Sequence, residues 1–114
     1  MHDIYPRVID VLLELEAELR RLGWWEEKQP PARAVASQQP FCMDQLSFEQ
    51  WLQWVFLPRM KTIIETGQPL PAQSGIFVYA EECLRHKGSR PAHLLALIQR
   101  FDELVTLQAT QKRH

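Results

Sequence analysis

Between Phe48 and Met60 the chain reads Phe-Glu-Gln-Trp-Leu-Gln-Trp-Val-Phe-Leu-Pro-Arg-Met. A helix through these residues is apolar nearly all the way round, and such a helix is central, covered on most sides by other elements. Together with the preceding Gln39-Pro40-Phe41-Cys42-Met43-Asp44 it holds three of the five Phe and two of the four Trp. Pro58 constrains it further. It lacks the N–H that would bond the Trp54 carbonyl, so the helix must kink or break between residues 54 and 58. Ser47 is its expected N-cap, with Gln50 at the capping-box spacing Ser-x-x-Gln. Gly67 is the expected stop, after about Thr66.

The other helical segments are shorter on punctuation but clear in period. Ile4, Val8, Val11, Leu12, Leu15, Leu19 and Leu22 recur at spacings of three and four and share one arc of a helical wheel. This predicts a helix over 4–22, with Asp3 as cap, Pro6 in the first turn and Gly23 as stop. Ile9, Leu13 and Ala17 fall on its opposite side. They are either scattered surface apolars or a small self-association strip. Another helix is expected over 76–86, carrying Ile76, Ala80 and Cys83 on one stripe, with Gly88 after it. The last starts near Pro91 and sets Leu94, Leu97, Ile98, Phe101, Leu104 and Val105 on one face. No strand pattern and no internal repeat is visible. The expected class is all-α, a mostly antiparallel four-helix bundle forming one domain over 1–114, with a long ordered loop between the first two helices.

That loop runs from Trp24 to Leu46, and Pro30, Pro31 and Pro40 exclude a regular helix through it. A loop of this length in a small domain is functional, disordered or packed by its own side chains. Trp24 and Trp25 open it. They are readable as an exposed recognition surface, or as packing in which at least one plugs the end of the bundle.

Gln39-Pro40-Phe41 with Asp44, then Trp51-Leu52-Gln53-Trp54-Val55, then Pro58-Arg59-Met60 resemble the signature of the YqcC-like family of small bacterial proteins. Leu70-Pro71 and the segment around Tyr79-Ala80-Glu81-Glu82 match its later part. The resemblance implies a compact helical bundle of this size. It brings no catalytic or ligand residues with it. Members are often encoded beside a pseudouridine synthase that modifies tRNA, and so the resemblance implies a link to RNA modification.

Chemistry-bearing residues are sparse. The four histidines have no metal-ligand spacing, and four glycines leave no phosphate-binding loop. Glu82 and His86, at i,i+4, read as a surface pair. Cys42 and Cys83 read as two buried free thiols in a reducing compartment. Nothing beside Cys42 supplies a base for nucleophilic work. We therefore expect no enzyme, no cofactor and no metal, and a cytoplasmic location. No stretch approaches the ~20 apolar residues of a membrane span.

Two functions from different classes remain. One is an adaptor that binds a protein partner through the Trp24–Asp44 loop. The other is an RNA-modification accessory touching RNA through Arg85, Lys87, Arg90, Arg100, Lys112 and Arg113. A formal net charge of -1 counts against the second, because phosphate contacts need concentrated positive charge. The expected state is a monomer or weak homodimer. The residues expected to carry structure or interaction are Trp24, Trp25, Phe41, Asp44, Trp51, Trp54, Pro58 and Arg59. Arg59 has the most specific expectation. An ideal wheel continued from Phe48 sets it in the core-facing arc, so it should be buried and pin the loop through Asp44, or failing that Glu82.

Overall fold

A computed structural model of the protein describes residues 4–36, 45–71, 74–86 and 91–111. Helix α1 spans Tyr5–Arg21, and α2 is a single turn, Ala32–Val35. The central helix is one element in three pieces: α3 (Phe48–Trp51), a π turn (Leu52–Phe56) and α4 (Leu57–Glu65). Helix α5 spans Ile76–His86 and α6 spans Ala92–Gln111. No strand occurs among the described residues, so the all-α class holds. Helix α6 packs along α1 and α5, and α3 packs on α5.

The stops form as glycine dictates. At Gly23 (φ 76°) the Trp24 N–H donates to the Leu19 carbonyl and the Gly23 N–H to that of Arg20. Gly67 (φ 70°) repeats this with Gln68 to Ile63 and Gly67 to Ile64. Both are Schellman ends, which need a left-handed residue that only glycine supplies cheaply. Helix α1 differs at its start: Ile4 occupies the cap position and contributes no side-chain bond, while Asp3 lies outside the described residues.

The expected stripes are the core. Val8, Val11, Leu15 and Leu19 of α1 meet Leu94, Ile98, Phe101 and Val105 of α6, all buried. Aromatic rings link the middle of the molecule. Phe48 stacks on Trp51 (6.1 Å between centroids), Trp51 meets Phe56 (5.4 Å), and Phe56 meets Phe101 edge-on (4.9 Å). Tyr79 approaches the Phe48 edge at 5.8 Å, and burial first, then Cys83, pushes its hydroxyl up to about 12. Cys83 is a free thiol but only half-buried, and Cys42 lies outside the described residues.

Pro58 acts as expected, but its consequence is one of register. The Leu57 N–H donates to Leu52, five residues back, so the turn holds one extra residue. That residue rotates everything after it by about 100° relative to an uninterrupted wheel. Met60 (4% exposed) therefore takes the buried position, and Arg59 turns out to solvent. The expectation of a buried Arg59 is corrected on this point. Of its proposed partners, Asp44 is outside the described residues and Glu82 bonds Arg85 instead.

Candidate functional site

The loop is held to the central helix after all, but by different residues. Past Gly23 the chain turns across the end of the bundle, and Trp24 and Trp25 both lie half-buried against the core. Neither is a fully buried plug. The Trp25 ring lies under the Arg20 guanidinium, 4.4 Å from carbon to centroid. Arg20 is also held from behind by Glu16, Nε to Oε2 at 3.2 Å, so the cation is fixed between carboxylate and ring.

Glu26 follows. Its backbone N–H donates to Gln53 Oε1 at 2.8 Å, and its carbonyl accepts from Gln53 Nε2 at 2.5 Å. The side-chain amide thus imitates a peptide group pairing with the loop. The pairing also fixes which end of the amide is oxygen, because the reverse would set donor against donor. Gln53 is 4% exposed, inside an otherwise apolar turn. The Glu26 carboxylate accepts from Gln50 Nε2 (3.2 and 3.3 Å) and from Trp54 Nε1 (3.3 Å). Gln50 does double duty. Its Oε1 accepts from the Ser47 N–H at 2.9 Å while Ser47 Oγ accepts from the Gln50 N–H at 3.3 Å, completing the expected capping box.

Beside this clamp lies a groove of about 680 Å³ whose walls include Glu27, Lys28, Pro31, Arg33, Leu46 and Gln50. Its charges are of both signs, and its floor is set by the clamped loop and the start of α3. It is a polar-rimmed concavity on a rigid support, suited to recognition.

Of the residues expected at the site, Trp24, Trp25 and Trp54 gather here. Trp51 is core, Pro58 and Arg59 are exposed elsewhere on the central helix, and Phe41 and Asp44 lie outside the described residues. Glu26, Gln50 and Gln53 were missed as a set. Gln53 carried a signal, as a lone amide flanked by Trp, Leu and Val. Of the basic set, Arg85 is tied to Glu82 and Arg100 is exposed, while Lys87, Arg90, Lys112 and Arg113 are outside the described residues. Glu82 pairs with Arg85, and the His86 side chain, its expected partner, lies outside the described residues. No helix among the described residues is long and apolar enough to cross a membrane.

Comparison with known proteins agrees with the fold. A family model (DUF446) described as tRNA pseudouridine synthase C matches residues 7–104. The chain is 40% identical over 74 residues to an uncharacterized protein of Haemophilus influenzae, covering 65% of this chain and 70% of that one. It is 36% identical over 100 residues to the uncharacterized protein YqcC of Escherichia coli, covering 88% and 92%. A 60-residue stretch is 40% identical to part of a Pectobacterium carotovorum protein named tRNA pseudouridine synthase C, taking up 53% of this chain and 16% of that protein. The solution NMR structure of E. coli YqcC superposes with a TM-score of 0.78 at 36% identity, over 89% of this chain and 86% of that one. With the family model running from α1 into α6 and YqcC alike in sequence and fold along nearly its whole length, this chain belongs to the YqcC-like family.

Proposed function

We propose that the chain is a non-catalytic adaptor that binds a protein partner at the end of the bundle, through the groove beside the Glu26 clamp. The observation that carries this reading is the clamp itself. A loop that only closed the bundle would not need its backbone paired to a buried side-chain amide and its carboxylate held by two further donors. That investment gives a groove of defined shape, and a preorganised surface binds at lower entropic cost.

A second reading concerns the process served. The stretch shared with the Pectobacterium tRNA pseudouridine synthase C supports a place beside tRNA modification. In one protein a module of this kind is joined covalently to other sequence. A separate chain achieves the same association by binding. Direct contact with RNA is the weaker form of this reading, since the net charge is -1 and Arg85 is neutralised by Glu82.

Capture from extracts of the native host tests both. Tagged wild-type chain and the Arg33→Glu variant are compared, each with and without nuclease. A captured protein that survives nuclease and is lost with Arg33→Glu supports the adaptor. Capture abolished by nuclease favours RNA. Capture indifferent to Arg33→Glu removes the groove from the proposal.

A further inference from the structure

Arg20 and Arg21 are neighbours in sequence and part company in the structure. Arg21 turns to the buried Glu18, its Nε donating to Oε1 at 2.8 Å. Arg20 reaches Glu16 Oε2 through Nε at 3.2 Å and through Nη2 at 3.1 Å. It then goes on to the loop, where its guanidinium carbon lies 4.4 Å from the Trp25 ring centroid. An exposed ion pair alone would hold such a side chain weakly. The carboxylate and the ring together keep the cation over the aromatic face, where the ring quadrupole attracts it.

Trp25 has a particular place in the chain. One residue before it, the Trp24 N–H donates to the Leu19 carbonyl at 2.9 Å and ends α1. One residue after it, the Glu26 N–H donates to Gln53 Oε1 of the central helix at 2.8 Å. Trp25 is thus the single residue between two backbone anchors that belong to different helices. Its ring packs against the core and carries Arg20. Glu26 lines the groove beside the clamp, whereas Arg20 stands outside the groove wall. Resting on the adaptor reading, we infer that Arg20 is a positioning residue for that groove. Acting through Trp25, it sets where the Glu26 loop lies and so how well the groove receives its partner.

Two signals read the loop in the chain alone: amide exchange at Glu26, and the NMR resonance of the Trp54 indole N–H, which donates to Glu26 Oε1 at 3.3 Å. Arg20→Met keeps the stem and removes the charge, and Arg20→Lys keeps a cation. Arg20→Met should speed exchange at Glu26 about threefold and shift the indole resonance, with exchange in the middle of α1 unchanged. Arg20→Lys should restore most of both. Affinity for tRNA pseudouridine synthase C from the same host should follow the same order, about threefold weaker with Arg20→Met and near wild type with Arg20→Lys. Unchanged exchange and resonance in Arg20→Met overturn the proposal. Equal effects of the two substitutions also overturn it, because they assign the contact to packing of the stem. A loop that moves while affinity stays constant overturns control of the groove. A wild type that fails to bind the synthase counts against the adaptor reading, whereas exchange at Glu26 decides the positioning role by itself.

Discussion

The side-chain amide of Gln53 pairs with both backbone polar atoms of Glu26, accepting from the N–H at 2.8 Å and donating to the carbonyl at 2.5 Å. This one relationship joins the loop after α1 to the π turn of the central helix. Replacing Gln53 with Met keeps the bulk but leaves a peptide group without its partners. Each unsatisfied group costs about 1–3 kcal/mol, so Gln53→Met should destabilise by about 2–4 kcal/mol in urea unfolding. Glu26→Gln keeps the backbone pairing and loses only charge-assisted bonds, and should cost about 1 kcal/mol. Equal effects of the two would mean that the backbone pairing contributes little.

The extra residue in the π turn makes a paired prediction at neighbouring positions. Arg59→Met should change stability by no more than about 0.5 kcal/mol, as exposed substitutions do. Met60→Ala should cost about 2–5 kcal/mol, the range for emptying a buried side chain. Thermal unfolding of the two variants side by side checks the register. The reverse order would restore the uninterrupted wheel.

Asp102 of α6 serves the start of α5 from outside that helix. Its Oδ2 accepts from the Phe77 N–H at 2.9 Å, and its other oxygen accepts from the Ser74 hydroxyl. It does from another helix what an N-cap side chain does locally. Asp102→Ala should cost about 1–2 kcal/mol and speed amide exchange in the first turn of α5 above that of α6. Uniform exchange in both helices would argue against a local capping role.

Glu18 is a buried carboxylate on α1, bonded by the Arg21 guanidinium, with Nε at 2.8 Å from Oε1. That hydrogen bond holds its carboxyl below the usual value against the opposing effect of burial, and the charges of Arg21 and His93 add to it. A carboxyl lowered in the folded state contributes stability above its unfolded value and loses it as pH falls through the folded one. Acid unfolding of the wild type should therefore show a loss of stability beginning near pH 4.5 and continuing below it. Glu18→Gln should be less stable at neutral pH and show a flatter acid limb. An acid limb of unchanged slope would remove Glu18 from the acid response.

Much of the frame is legible in the residues. The stripes Val8–Leu19 and Leu94–Val105 are core because apolar spacing of three and four can serve little else, and Gly23, Gly67 and the Ser47–Gln50 box mark ends by local chemistry alone. Pro58 located the irregularity in the central helix. It could not tell a kink from an added residue, and a wheel drawn with constant rotation then misplaced Arg59. The turn Ala32–Val35 has no periodicity long enough to show. The Glu26–Gln53 pairing joins residues 27 apart and depends on the path of the loop, which no spacing rule encodes. What was visible was an amide in an apolar run, a polar group that would need a partner once buried.

The proposal that the groove beside the clamp binds a protein partner is tested most directly by titrating purified chain against tRNA pseudouridine synthase C from the same host. Wild type and Arg33→Glu are compared, with that host's tRNA titrated separately. The expected result is saturable binding to the protein at about 10 µM or tighter, weakened about tenfold by Arg33→Glu at an unchanged melting temperature, with no comparable binding of tRNA. Absence of saturable binding, equal affinity of the two chains, or tighter binding of tRNA than of the protein would contradict it.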